Sequence, residues 1–261
     1  MLTPELRRAM GAEAVKAAAS VGYVGAGTVE FLLDQDGRFY FLEMNTRLQV
    51  EHPITEMVTG VDLVEWQIRI ARGEKLTLNP DALLQPRGHA IECRIYAEDP
   101  DNGFMPSPGR IAGLHVPQGP GVRDDGGAYE GGEVPIYYDP MISKLITWGE
   151  SRPRALARMR RALSEYDVLG IKTTIPFFQW VLDDEDFVAA RFDTSFIDRK
   201  LSDRNGRPLR EANEDHHELA AIAVALSRVV KGQSHPSGNG TTPVTIQPSR
   251  WKTDGRIASL R

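Results

Sequence analysis

Two short runs rich in aromatic and branched residues, GTVEFLL (27–33) and RFYFLEM (38–44), are joined by Asp34-Gln35-Asp36-Gly37. Such runs flanking a turn sequence specify a β-hairpin. With Asp36-Gly37 as the two central turn residues, which that dipeptide favours, Leu33 faces Tyr40 and Glu30 faces Glu43. Two carboxylates directly opposite one another destabilise a sheet unless something positive lies between them. Asn45, two residues beyond Glu43, points to the same face. Glu30, Glu43 and Asn45 suit a hard cation, and Mg²⁺ bridges such groups to nucleotide phosphates. An exposed hairpin face that merely carries glutamates fits the same residues.

Arg47, Gln49 and Glu51 follow at alternate positions. In an extended segment all three side chains point one way, continuing the carboxylate face. Arginine offers a planar fork for an oxyanion, glutamine a donor and glutamate a base. The set suits a small anion such as bicarbonate, and a salt-bridged surface strand is the competing reading. His52, before Pro53 at a helix start, reads as structural. Gly22, Gly25 and Gly27 lack both the spacing and the preceding strand of a dinucleotide fingerprint, so they read as a turn.

Helices are expected over 3–20, with Thr3 as N-cap and Pro4 behind it, over ITEMVTG, and from Leu63 to about Arg72. Asp62 and Glu65 have capping-box spacing there, and Gly73 supplies the stop. Residues 74–88, punctuated by proline, read as a linker. HAIECRIYAED alternates as a strand: His89, Ile91, Cys93 and Ile95 share one face, and Glu92, Arg94 and Tyr96 the other. Short antiparallel strands with tight turns are expected over 102–135, and PMISKLITWG reads as a strand. Residues 153–166 form an amphipathic helix, with Ala155, Leu156, Met159, Ala162, Leu163 and Tyr166 on its apolar stripe. Arg152, Arg154, Arg158, Arg160 and Arg161 read as a solvated face. A polar segment from Leu201 leads to a helix over 217–230 and a flexible linker, QSHPSGNGTTPVTIQP.

Composition limits the function class. Of the 261 residues, 41% are hydrophobic and 26% charged, the profile of a soluble globular protein. A net charge of −5 offers no electrostatic footprint for nucleic acid. No apolar run approaches the ~20 residues of a membrane span, and the first twenty residues lack a signal-peptide core. Cys93 is the single cysteine, so neither an internal disulfide nor a cysteine-rich metal site is expected. These features point to a cytoplasmic enzyme or a component of one.

EMNTRLQVEHPITEMVTGVDLVEWQIRIA resembles the catalytic core of biotin carboxylases, the subunits that begin acetyl-CoA, propionyl-CoA and related carboxylases. The resemblance continues through RGHAIECRIYAEDP, FMPSPGRI, YYDPMISKLI and LGIKTTIPF, and so covers roughly residues 3–200. The RLQVEHP run separates this family from other ATP-grasp ligases. The fold it implies is α+β: the C-terminal half of an ATP-grasp core over 1–75, a linker over 76–87, a C-terminal domain of mixed sheet and helix over 88–200, and a polar tail over 201–261. The hairpin carries one residue more than in some relatives.

The resemblance implies roles as well. Glu30, Glu43 and Asn45 match the metal ligands, and Arg47, Gln49, the Val50 backbone and Glu51 match the bicarbonate site, with Glu51 as base. Arg94 matches the arginine that stabilises the biotin enolate. Leu32 and Phe196 fall near the adenine pocket, alongside the ATP-facing Glu30 and Glu43. Arg123 falls in a segment used for homodimer contact. The implied cofactors are ATP, Mg²⁺ or Mn²⁺, and biotin on a separate carrier, since no Ala-Met-Lys-Met motif is present. The implied partners are a biotin carboxyl carrier protein and the carboxyltransferase subunit of an acyl-CoA carboxylase, with acetyl-CoA as acceptor.

In the implied reaction ATP and bicarbonate give carboxyphosphate, which yields CO₂ and phosphate. Phosphate then deprotonates biotin N1, and the enolate attacks CO₂. The family's N-terminal domain, glycine-rich lid and first half of the ATP-grasp core have no counterpart here. The carried-over residues are therefore expected to form half a site, inactive alone. The alternative reading is a non-catalytic assembly module derived from a biotin carboxylase.

Overall fold

The computed structural model describes residues 2–34, 36–209 and 222–226. The chain divides into two units, Met1–Arg210 and Glu211–Arg261. In the second, only 222–226 are described, and they are helical. The rest of the helix expected over 217–230, and the flexible linker after it, lie outside the described residues.

Helix α1 (Pro4–Ser20) starts as its sequence dictates: the Thr3 side chain accepts from the Leu6 amide at 3.2 Å. Strands β1 (Thr28–Leu33) and β2 (Phe39–Asn45) form the expected antiparallel hairpin, in a different register. Asp34 donates its amide to the Arg38 carbonyl at 2.8 Å, so the loop closes one residue earlier than an Asp36-Gly37 two-residue turn would close it. Gly37 meets that geometry with φ 82°. Leu33 thus faces Phe39 rather than Tyr40, and Leu32 faces Tyr40. Between Glu30 and Phe31 the register slips, with Leu42 the extra residue, and Glu30 faces Glu43 after all. The bulge corrects the parity: without it, every side chain from Leu42 onward would change face. Phe31 meets Phe39 and Phe41 edge-on, at centroid distances of 5.4 and 6.4 Å, and fixes one face of the hairpin.

Helices α2 (His52–Thr59) and α3 (Leu63–Ala71) follow. Gly60 ends α2 by donating its amide to the Glu56 carbonyl at 2.7 Å. Asp62 caps α3, accepting from the Glu65 amide at 2.7 Å. The stretch read as a plain linker holds one turn of helix, α4 (Pro80–Leu83), capped by Asn79. Its local Asn-Pro signal is a helix start, and the proline punctuation hid it.

The main sheet is antiparallel with strand order β3-β6-β5, formed by β3 (His89–Tyr96), β5 (Val122–Gly126) and β6 (Met141–Gly149), while β4 (Gly113–His115) pairs outside it with β7 (Asp167–Leu169). Helix α5 (Arg152–Glu165) packs on β6 and β3 from one side, and α2 on the same strands from the other. The predicted stripe of α5 is the core. Ala155, Leu156, Met159, Ala162 and Leu163 are all at most 2% exposed, against Cys93, Ile95 and Leu145.

The arginines of α5 are not simply solvated. Arg152 donates to the Phe187 and Val188 carbonyls, Arg158 to the Trp148 carbonyl, and Arg160 to the Leu182 carbonyl and the Asp183 carboxylate. Arg161 reaches Glu165 and the Gln118 carbonyl. Long guanidinium stems let an exposed helix face satisfy carbonyls at the ends of neighbouring elements.

Helices α6 (Ile175–Asp183), α7 (Glu185–Val188) and α8 (Phe196–Asp203) complete the unit. Helix α8 runs across the boundary expected at residue 200. Beyond it, Arg204 and the Leu209 amide both bond Asp101 Oδ1, at 2.9 and 2.8 Å. No helix among the described residues is long and apolar enough to cross a membrane.

Candidate functional site

The bulged hairpin brings the two acids together. Asn45 Nδ2 donates to Glu30 Oε1 and to Glu43 Oε1, each at 2.9 Å. An amide NH₂ standing between facing carboxylates offsets part of their repulsion. Turned over, the same amide presents Oδ1, and the face then offers three oxygens, a donor set for a hard cation. Among the described residues no group of three or more His, Cys, Asp or Glu side chains is arranged for a metal. A cation here would therefore take two carboxylates and one amide from the protein and the rest of its shell from phosphate or water. The residues fit Mg²⁺ or Mn²⁺ on those terms. Leu32, two residues from Glu30 on the same strand and so on the same face, is 58% exposed beside the acids.

Past Asn45 the chain bends and turns instead of continuing extended, so Arg47, Gln49 and Glu51 are not a strand face. The extended reading fails because Pro53 starts α2, and the turn that enters the helix absorbs residues 50 and 51. The three side chains nonetheless line one cleft of about 390 Å³, together with Gly27, His52 and Thr55. Arg47 Nη1 donates to Gln49 Oε1 at 3.0 Å, which turns that amide's NH₂ end away from the guanidinium. The turn is pinned from behind: His52 Nδ1 meets the Gln49 carbonyl at 2.8 Å. Lys144 Nζ donates to the Val50 carbonyl at 3.1 Å.

Arg94, on the polar face of β3, reaches this turn. Its Nη2 donates to Glu51 Oε2 at 2.8 Å, a bond between residues 43 apart in sequence. Behind it lies a row of charge on the sheet face that α2 covers. Lys144 on β6 stands between Arg94 on β3 and Asp125 on β5. Arg123 holds Asp125 through two 2.7 Å bonds and Glu56 of α2 through a third, also 2.7 Å. Glu56 also accepts the Leu63 amide at 2.7 Å, tying α2 to the start of α3. Arg123, expected at a contact between copies, thus bonds within its own chain. Burial pushes the Glu92 carboxyl up from its ordinary value, and Lys144 and Arg94 only partly oppose this.

Phe196 is corrected by the structure. It is 4% exposed, packed with Phe177, Phe187 and Phe192, and Leu32 is not among the residues around it. A ring so enclosed has no face for a purine. Glu56, Glu92, Asp125 and Lys144 are the site-adjacent groups that sequence reading passed over. For Glu92 the signal was present, since strand alternation puts it on Arg94's face. For Lys144 no local signal tells of a carbonyl 94 residues away.

Residues 92–199 match the family model of the biotin carboxylase C-terminal domain, and residues 1–79 that of the carbamoyl-phosphate synthase L chain ATP-binding domain. The chain is 56% identical over 196 residues to a biotin carboxylase of Nostoc sp., covering 75% of this chain and 44% of that one. It is 57% identical over 198 residues to a pyruvate carboxylase subunit from Methanothermobacter thermautotrophicus, covering 76% and 40%. Among solved structures it is similar to the biotin carboxylase domain dimer of Hydrogenobacter thermophilus 2-oxoglutarate carboxylase in complex with MgADP, ADP and bicarbonate. There the TM-score is 0.76 at 46% identity, over 81% of this chain and 46% of that one. It is also similar to the biotin carboxylase subunit of pyruvate carboxylase, with a TM-score of 0.75 at 47% identity, over 82% and 46%. The chain spans less than half the length of each of these relatives. Motifs, fold and sequence are thus similar to those of biotin carboxylases over about three quarters of the chain, and residues 92–199 match the family's C-terminal domain.

Proposed function

We propose that the chain supplies the bicarbonate- and biotin-facing side of an ATP-dependent biotin carboxylase. The observation that carries this reading is the 2.8 Å bond between Arg94 and Glu51, which joins the arginine we assign to the enolate to the cleft-lining carboxylate we assign as proton acceptor. Arg47 and Gln49 would bind bicarbonate in that cleft, with the Val50 backbone beside them. Glu51, 54% exposed, accepts the bicarbonate proton. The resulting carbonate oxygen attacks the γ-phosphorus of ATP, and ADP leaves. Carboxyphosphate breaks down to CO₂ and phosphate, phosphate takes the N1 proton of biotin, and the enolate carbon–oxygen system is held opposite Arg94 while N1 bonds CO₂.

Glu30, Glu43 and Asn45 would hold Mg²⁺ or Mn²⁺, which when bound neutralises developing phosphate charge. Leu32, exposed on the same hairpin face, would border the nucleotide. The working division we propose places metal and bicarbonate on residues 1–75 and the enolate arginine on the part from residue 88. Biotin arrives on a carrier protein, and the carboxyltransferase partner chooses the acceptor. We assign an acyl-CoA, acetyl-CoA first, and a second copy of the full-length protein as dimer partner. Relatives that include pyruvate carboxylase components make pyruvate the acceptor to assay beside it.

The test is bicarbonate binding by the purified chain, followed by the ¹³C signal of labelled bicarbonate. Saturable binding that weakens at least about tenfold in Arg47→Ala is expected, as for the loss of a bidentate charge-assisted contact. Absence of saturable binding, or binding indifferent to Arg47, would remove the basis of the proposal.

A further inference from the structure

Among the described residues one buried side-chain oxygen has no hydrogen-bond partner, Oε2 of Glu92. The Glu92 side chain is 7% exposed, and its Oε1 stands 3.6 Å from Arg94 Nε, within ion-pair range but beyond hydrogen-bond range. A buried carboxylate oxygen left so is costly, and its retention calls for a role. The same guanidinium bonds Glu51, a carboxylate 54% exposed, at 2.8 Å. Arg94 therefore stands between two acids, bonded to the exposed one and about half an ångström short of bonding the buried one. Lys144, opposite Arg94 in the sheet, donates to the Val50 carbonyl and pairs with Asp125 at 3.7 Å, so only its field reaches Glu92.

We propose that Glu92 is a second station for Arg94: a positioning residue that takes hold of the guanidinium whenever Glu51 is neutral, and so keeps it at the site while the base carries a proton. With both acids charged, Glu51 wins through its short bond. Once Glu51 is neutral its bond to Arg94 loses its ionic share, roughly half its strength. The charged Glu92, in less polarisable surroundings, then attracts the guanidinium more strongly. The shift required is under an ångström and lies within the side chain, with no change of backbone. The occasion for the handover rests on the reading of Glu51 as the proton acceptor; the handover itself does not.

The test follows the Nε–Hε proton of Arg94 by ¹⁵N NMR in the full chain, its signal assigned by its loss in Arg94→Lys. Glu51→Gln mimics the neutral base. In that variant Hε exchange with solvent is expected to become slower than in the unchanged chain, as Nε closes on Glu92, and to become at least about tenfold faster again when Glu92→Gln is added. No slowing in Glu51→Gln alone, or no acceleration on adding Glu92→Gln, overturns the proposal.

A second measurement needs no substitution at Glu92. The groups facing its carboxyl are Arg94 on its own strand, Lys144 on the neighbouring strand and Glu51 at the start of α2. In Glu51→Gln the ¹³C titration of Glu92 should move to lower pH, and most of that movement should vanish when Arg94→Met is added. A movement of the same size without Arg94 comes from the lost Glu51 charge alone and overturns the proposal. Neither measurement uses turnover, so a catalytically silent chain leaves the inference standing or falling by itself.

Discussion

Arg123 connects the sheet to the helix that begins at the cleft, and its removal gives the sharpest test of how the two parts hold together. Three bonds of 2.7 Å leave its guanidinium, two to Asp125 and one to Glu56. Glu56 is only 9% exposed, whereas Arg123 and Asp125 are 33% and 26% exposed. Arg123→Ala strands a buried carboxylate, which in full burial costs ~3–5 kcal/mol. The Asp125 side of the fork lies nearer water and adds little beyond a surface pair, ~0–1 kcal/mol. Allowing for water that enters the vacated space, the expected loss is about 3 kcal/mol. For a unit of this size that lowers Tm by about 6–12 °C.

The assay is thermal unfolding by circular dichroism at pH 7, repeated at two protein concentrations about fiftyfold apart. A drop below about 2 °C would refute the reasoning. A deficit present only at the higher concentration would mean that the side chain works between copies, as the sequence first suggested. The pH dependence has a definite sign. Burial opposes the charge on Asp125, but the bonds and charge of Arg123, with Lys144 and His52 behind, prevail and hold its carboxyl below the usual range. Its folded value is depressed, so its contribution is present above the unfolded value and is lost as pH falls through the folded one. The Asp125 share of the Arg123→Ala deficit, ~0–1 kcal/mol, is therefore present at neutral pH and shrinks below about pH 4.

Leu163, 1% exposed under the sheet, should cost about 3 kcal/mol when cut to alanine, read as a lower denaturant midpoint with an unchanged slope. Gly88→Ala should cost more than ~1 kcal/mol, since its φ is 67° and a Cβ there would collide with the Gly149 carbonyl and the Trp148 ring; a Tm equal to that of the unchanged chain would contradict this. Glu43→Gln should weaken Mn²⁺ binding at least about tenfold by electron paramagnetic resonance, because one of only two carboxylates is lost. Unchanged binding would place the cation elsewhere.

Much of this was legible in the residues because it depends on short-range rules. Thr3, Asp62 and Gly73 mark helix ends by satisfying amides and carbonyls a few residues away. The stripe from Ala155 to Leu163 is a period, and a period needs no partner to be seen. The pairing of Glu30 with Glu43 follows even from the wrong turn, because the bulge at Leu42 restores it. A loop one residue longer and a bulge of one residue leave the same acids opposite, so pattern alone could not separate the two routes.

What only the tertiary structure decided is which charges meet. Sequence alternation put Glu92 and Arg94 on one face, and a motif marked Glu51, but nothing local says that Arg94 bonds Glu51 across 43 residues or that Lys144 holds the Val50 carbonyl across 94. Resemblance alone put Phe196 near the adenine pocket, whereas the packing of α6, α7 and α8 encloses it. Periodicity and capping are properties of neighbours along the chain, fixed by backbone geometry over a few residues. Ion pairs and burial are properties of neighbours in space, and they exist only once the sheet has brought its strands together under α2 and α5.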